Sequence, residues 1–162
     1  MKKNIQNLFL LLLLLLALPQ FSQAQSEKRI TELICDSRPL LKQAILEGGV
    51  SGVLMADGPY TFFAPAEAAL QDMAGYDQGK LNALLSNHIV PGKILTQDLK
   101  DGSKLTTLGG GSLSVFRKGD KILINGIEIT AGDQVARNGV VHTVRKWLIT
   151  PEQKSDRIGM LR

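Results

Sequence analysis

The side chains that could do chemistry in this chain are few and far apart. The sequence has a single cysteine, Cys35, and two histidines, His88 and His142. A thiolate zinc cluster needs several cysteines, and covalent catalysis needs a nucleophile beside a base. The segment closest to a Gly-x-Ser-x-Gly nucleophile elbow, residues 49–52, lacks the final glycine. We therefore predict no catalytic residue, no metal ligand, no bound cofactor and no enzymatic activity.

Both histidines lie in contexts typical of structural side chains. His142 lies within a short apolar strand pattern, and His88 follows a predicted helix, where a charged imidazole would interact favourably with the helix dipole. Neither has a visible cluster of partner residues. A buried histidine hydrogen-bonded to the backbone is therefore the preferred interpretation, and a ligand or catalytic role is the alternative.

The N-terminus predicts export. Lys2 and Lys3 precede a leucine-rich run over residues 8–18, and small residues follow near Ala24. This is the pattern of a signal peptide, and the run is too short for a comfortable membrane span. An uncleaved anchor is the alternative. We predict a signal peptide over residues 1–24, a folded domain over 25–150, and a C-terminal tail over 151–162. The protein would then be secreted or periplasmic, with no stable membrane span after cleavage.

Charge gives little indication of a nucleic-acid partner. The formal charge of +4 includes Lys2 and Lys3, and without them the 19 basic residues become 17 against 15 acidic ones. Such a balance does not predict nucleic-acid binding. Five basic residues nevertheless cluster in the last third of the chain, either as a solubilising surface or as a patch for an anionic polymer. They are Arg117, Lys118, Lys121, Arg145 and Lys146.

The elements that position these residues run from helices to strands. Helical spacing covers residues 30–55, with Ser37 as a candidate cap for a helix that begins near Pro39. Helix formers also fill residues 66–73 and 80–87. Short strands are predicted at 60–64, 89–90, 104–108, 112–115, 122–124, 127–129, 140–144 and 147–149. Helices first and strands later indicate an α+β fold.

Several of these segments together resemble the fasciclin domain family. The resemblance spans about residues 30–150 and rests on five segments in the family's order: 60–70, 84–92, 105–108, 124–127, and 138–144 with Trp147 and Leu148. Asn87 stands where the family usually has tyrosine. The matching structural motif comprises Phe62, Phe63, Ala64, Pro65, Asn138, Gly139, Val140 and His142.

The resemblance implies a wedge of two small β-sheets with the N-terminal helices packed on one side. It also implies a non-catalytic module for cell adhesion or for cell-surface and extracellular-matrix contact, whose partner would be a cell-surface or envelope protein or a polysaccharide. An exported small-ligand-binding protein or hydrolase is the alternative. The segment Asp133-Gln134-Val135 occupies the place of a receptor-contact segment of animal members, although Asp133 could instead cap a turn. Asn87 and His88 are the other predicted partner-binding residues.

Overall fold

A computed structural model describes residues 27–73 and 75–150 of the chain. The predicted signal peptide and the predicted C-terminal tail lie outside these residues. Among the described residues, no helix combines the length and the apolar character needed to cross a bilayer.

Three short helices open the fold: α1 (Ile30–Cys35), α2 (Pro39–Glu47) and α3 (Ser51–Met55). The start of α2 differs from the prediction that Ser37 would cap it. The N-cap residue is Arg38, which makes no side-chain cap, and the carboxylate of Glu67 accepts the free backbone N–H groups of Leu40 and Leu41 at 3.2 and 3.0 Å. A distant acid therefore satisfies the helix start.

Two further helical segments follow the first strand. Residues 66–73, predicted as a helix, form a 3-10 helix over Glu67–Met73. Helix α4 (Gln78–Ser86) begins at Asp77, whose side chain accepts the N–H of Lys80 at 2.7 Å. Capping by an aspartate at this position offsets the unpaired donors of the first turn.

In the part of the chain that the structure describes, seven strands pair in the order β2-β1-β7-β6-β5-β4-β3. Of these seven strands, only β1 and β7 pair in parallel, and they lie side by side at the centre of the fold. The ends of the order approach each other, because the N–H of Leu108, just after β3, donates to the carbonyl of Ile89 in β2 at 2.8 Å. The strands are β1 (Tyr60–Pro65), β2 (Ile89–Pro91), β3 (Lys104–Thr106), β4 (Ser112–Lys118), β5 (Lys121–Ile124), β6 (Ile127–Ala136) and β7 (Gly139–Val144).

The core has two parts, one on each face of the central strands. Phe62 lies opposite Val141 and packs with the N-terminal helices, while the next residue, Phe63, points to the other face and packs with Val144 and the later strands. Alternation along a strand that is buried on both faces explains this division. The predicted α+β class with helices on one side is confirmed. Strand β6 connects the strands that were predicted as two small sheets.

The predicted last strand is wrong. Residues 147–149 pair with no strand among residues 27–73 and 75–150, although Leu148 is buried and Trp147 packs against the helical side of the core. Strand β6 is also much longer than predicted, because it continues past Ile129 to Ala136.

Candidate partner-binding site

Strand β6 contains two irregularities in front of β7. Ala131 pairs with Thr143 and Gln134 with Val141, and the register shifts both before Ala131 and after it. Each shift places one more residue on β6 than on β7, which is the geometry of a β-bulge. The backbone there faces solvent, since residues 130–134 are all exposed. We call residues 131–135 the β6 corner.

Asp133 holds the β6 corner against the loop that follows β2. One carboxylate oxygen accepts the N–H of Thr96 at 2.8 Å, and the other accepts the Thr96 hydroxyl. Asp133 adopts a left-handed backbone conformation, with φ of 59°, which aspartate tolerates better than most residues. The neighbouring Gly132 makes the approach possible, because a Cβ there would lie 2.5 Å from the Thr96 methyl carbon.

His142 fixes the same corner from inside. Its Nδ1 accepts the N–H of Asp133 at 3.1 Å, so the neutral ring carries its proton on Nε2, which donates to the carbonyl of Ile94 at 2.8 Å. The ring also stacks on Phe63 with centroids 5.4 Å apart. Burial lowers the pKa of His142 from its usual 6.5, against the hydrogen bond to Ile94 and the charge of Asp133, which act to raise it. The interpretation of His142 as a backbone-bonded histidine fits this geometry.

Arg117, in β4, also supports the loop. Its guanidinium donates to the carbonyl of Leu99 at 2.8 Å and to that of Thr96 at 2.6 Å. Its backbone N–H donates to the carboxylate of Asp101 at 2.7 Å. Arg117 therefore stabilises the loop through hydrogen bonds, whereas the sequence alone assigns it to a basic surface patch. The loop 94–101 is thus held by both β4 and β6.

The corner leaves Gln134 and Val135 available to a partner. Gln134 is exposed and Val135 is half-buried. The side-chain amide of Gln134 has no hydrogen-bond partner among the described residues. Because the backbone there is already fixed, a partner that binds the corner does not have to order it, and only the exposed side chains lose rotamer freedom. Asp133, by contrast, uses its carboxylate to bind Thr96.

The other predicted partner-binding residues lie inside the fold. His88 has no exposed surface: its Nδ1–H donates to the carbonyl of Phe63, and its Nε2 accepts the N–H of Leu148 at 2.9 Å. Burial lowers its pKa to about 4. Asn87 is 5% exposed, and its side-chain oxygen accepts the Thr107 hydroxyl at 2.9 Å. His88 is therefore unavailable to a partner, and Asn87 offers little surface.

The residues of the predicted structural motif surround the centre of the fold. The side chain of Asn138 accepts the N–H of Ile30 at 2.9 Å and donates to the carbonyls of Leu54 and Ala56 at 2.8 Å each. Pro65 and Gly139 lie at opposite ends of the β1–β7 pairing. The side chain of Asn138 thus connects the helices to the strands through hydrogen bonds.

The contact between Thr96 and Asp133 was not predicted from the sequence. Thr96 contacts a residue 37 positions later in the chain. No local pattern marks such a pairing, and only the strand order brings the two residues together. The signal that was available is the Gly132-Asp133 pair itself, since both residue types suit a backbone that departs from regular strand geometry.

The donor groups of the described residues contain no set that resembles a metal centre. Across residues 27–73 and 75–150, no group of three or more His, Cys, Asp or Glu side chains is placed to hold a metal ion. The Asp133 carboxylate accepts hydrogen bonds from Thr96, and the imidazole of His142 accepts one from the backbone of Asp133. The described part of the chain thus forms an α+β module with a rigid, exposed corner.

Comparison with known proteins agrees with this description. The family model for the Fasciclin domain matches residues 39–150. The chain belongs to the fasciclin domain family. The fold matches a FAS1 domain pair from the insect cell adhesion molecule Fasciclin I with a TM-score of 0.62 at 16% identity, covering 79% of this chain and 53% of that one. The family resemblance drawn from the sequence is confirmed.

Relatives in animals and bacteria share similar levels of identity. Human periostin is 32% identical over 80% of this chain and 16% of its own length, and pig transforming growth factor-beta-induced protein ig-h3 is 32% identical over 74% of this chain and 19% of its own length. Protein sll1483 of Synechocystis sp. is 30% identical over 68% of this chain and 66% of its own length. This chain therefore spans less than a fifth of the two animal proteins.

Proposed function

We propose that this protein is an exported, non-catalytic fasciclin module that mediates cell adhesion or contact with a cell surface or extracellular matrix. Its partner is a cell-surface or envelope protein or a polysaccharide. Export depends on the signal peptide at residues 1–24, so the working protein is secreted or periplasmic. Within this chain, the domain spans residues 25–150 and the tail spans 151–162.

The observation that carries this proposal is the β6 corner. Asp133 and His142 fix the backbone, and the loop at Thr96 is fixed in turn by Arg117. Gln134 stands exposed on that rigid support. The solved fold neighbour comes from a cell adhesion molecule, which agrees with a surface-contact role.

A cell-binding assay with one surface substitution tests the proposal. The labelled, exported protein is titrated onto intact cells and onto immobilised envelope polysaccharide from the organism that makes it. Gln134→Arg should weaken binding at least tenfold, because it adds bulk and charge to the exposed surface of the corner. The matched control is Gln71→Arg, which changes an exposed glutamine in the 3-10 helix.

Two outcomes decide the matter. Loss with Gln134→Arg but not with Gln71→Arg supports the corner as the contact surface. Equal binding by both variants, or no binding by the folded parent protein to either surface, overturns it. N-terminal sequencing of the exported protein tests the cleavage, which should leave Gln25 as the first residue.

A further inference from the structure

A groove with a volume of about 630 Å³ lies between the 3-10 helix and the segment that follows β7. Most of its wall is apolar: Ala68 and Ala69 come from the 3-10 helix, Ile127 from the start of β6, and Ile149 from the segment after β7. It shares no lining residue with the β6 corner. Its volume falls within the range of small-molecule sites, which is roughly 300–1,000 Å³.

Two aromatic side chains, Trp147 and Tyr76, also line the groove. The indole N–H of Trp147 donates to the carbonyl of Ala69 at 2.9 Å. The Trp147 ring also meets the buried ring of His88 edge-on, with centroids 5.3 Å apart and planes at 84°. Contacts on two sides already fix the indole. A ligand that packs against it therefore causes little further loss of side-chain entropy.

The charged lining residues are both basic, Arg145 and Lys146. Arg145 forms an ion pair with Glu128 at 3.0 Å, and Lys121 contacts the same carboxylate at 3.0 Å. Two cations thus share one anion. Lys146 has no ion-pair partner within the part of the chain that the structure describes, so its ammonium group is free. The rim of the groove therefore carries net positive charge.

We propose that this groove binds a small aromatic anion. An aryl ring packs among Trp147, Tyr76 and the aliphatic wall, where ring contacts add to the burial of apolar surface. A carboxylate or sulfonate on that ring meets the ammonium of Lys146 at the rim. Beside apolar surface, a charge-assisted contact of this kind is stronger than the same contact in open water. This binding activity is separate from surface contact through the β6 corner.

The chain supplies its own reporter, because Trp147 is its only tryptophan. In an NMR titration of the exported protein with the probe 8-anilinonaphthalene-1-sulfonate, the single indole N–H signal should shift, together with the backbone amides of Ala69 and Lys146. The amide of Gln134 should stay unchanged. The uncharged analogue N-phenyl-1-naphthylamine should bind at least fivefold more weakly.

Three full-length variants distinguish this site from nonspecific binding of the probe. Lys146→Glu should weaken binding of the sulfonate at least tenfold and leave the uncharged analogue unaffected, while the matched control Lys93→Glu, at another exposed lysine, should change neither. Ala68→Leu fills the groove and should weaken both probes. Unchanged thermal unfolding temperatures ensure that the variants are folded.

The proposal is overturned if the sulfonate and its uncharged analogue bind equally, or if Lys146→Glu and Lys93→Glu behave alike. One other occupant is testable in the full chain: its own C-terminal segment. The double substitution Ile158→Asn, Leu161→Asn should leave probe affinity unchanged. A gain of tenfold or more would assign the groove to that segment instead.

Discussion

Asn138 shows how much of this fold depends on single polar side chains. It is 2% exposed and makes three hydrogen bonds, to the backbone of Ile30, Leu54 and Ala56. These bonds join α1, the region at the end of α3 and the turn before β7. Because Asn138 and its bonds to Ile30 and Leu54 are buried, these groups cannot exchange their bonds for bonds to water, whereas the bond to Ala56 is only partly buried.

Replacing Asn138 should therefore cost more than one ordinary hydrogen bond. Asn138→Ala leaves buried backbone groups unpaired, and we expect the free energy of unfolding to fall by about 3 kcal/mol. Urea denaturation measures this directly. Asn82→Ala is the matched control: it removes two hydrogen bonds from an exposed residue, one to the carbonyl of Gly48 at 2.7 Å and a long one from the Ser86 hydroxyl at 3.5 Å, and should cost no more than about 1 kcal/mol. Equal losses would show that Asn138 does not join the helices to the strands.

His88 makes the stability of the fold depend on pH. Its pKa is about 4 in the folded protein against 6.5 for a free imidazole, because burial disfavours the charged ring. Between these values the unfolded chain binds a proton at His88 that the folded protein does not. Stability is therefore fully present above pH 6.5 and falls as the pH drops toward 4, by about 3 kcal/mol in total. His142, whose pKa is also lowered by burial, adds a loss in the same direction.

Urea denaturation at several pH values between 7.5 and 4.5 checks this dependence. The parent protein should lose stability steadily below pH 6.5, whereas His88→Gln, which cannot take up a proton, should start less stable and show a shallower slope. The control His142→Gln should keep most of the slope due to His88. A parent protein whose stability stayed constant over this range would contradict the assignment of His88 as a buried neutral ring.

Among the secondary-structure elements, the parallel pair β1–β7 depends on close backbone contact. Gly139 begins β7 beside Tyr60, with φ of 155°, and a Cβ at Gly139 would lie 1.9 Å from the Tyr60 carbonyl oxygen. No side-chain adjustment can relieve a clash with a strand backbone. Strands β1 and β7 would have to separate to accept any other residue.

Two glycine-to-alanine substitutions should therefore act in opposite directions. Gly139→Ala should destabilise the protein by about 3 kcal/mol or more, or prevent folding. Gly52→Ala, in helix α3, meets no atom within 4 Å and should stabilise the protein by about 0.5–1 kcal/mol, because alanine favours helix. Thermal unfolding of both variants tests the pair. A stable, folded Gly139→Ala protein would refute the close packing of β1 on β7.

The sequence predicted elements whose signals are local. The break between the strands predicted at 122–124 and 127–129 falls at Asn125-Gly126, where both residues have positive φ, 49° and 81°. Strand β1 was marked by its aromatic residues and extends one residue beyond the prediction, to Pro65. Such features depend on neighbours in the chain, so a local pattern contains them.

The missed elements depend on tertiary contacts. Strand β6 beyond Ile129 is bulged and exposed as far as Gln134, so it shows no alternation of apolar and polar residues, and it is pairing with β7 that keeps it extended. Trp147 to Ile149 looked like a strand because its residues are apolar, but its contacts go to His88, Ala69 and the core without a partner strand. The Asp133 position followed from family resemblance. Its contacts with Thr96 and His142 could be identified only from the folded structure.

At the scale of the whole molecule, the central strands join two parts of one core. Phe62 faces the part beneath the helices and Phe63 faces the part beneath the later strands. The hydrogen bond from Leu108 to Ile89 brings the two ends of the strand order together. If either part loses its packing, one face of β1 and β7 becomes exposed. These same two strands also support the other part of the core.

Unfolding should therefore be a single transition, even when only one part of the core is weakened. Leu113 is fully buried in the part away from the helices, whereas Trp147 packs against the helical part. Leu113→Ala leaves a cavity and should lower stability by about 2–5 kcal/mol. Because β1 and β7 couple the two parts, Trp147 fluorescence should report that loss in full, with the same urea midpoint as far-UV circular dichroism. The control Leu41→Ala, in the helical part, should give equally coincident curves. If Leu113→Ala left the Trp147 transition in place while circular dichroism showed an earlier phase, the two parts would unfold separately and the central strands would not couple them.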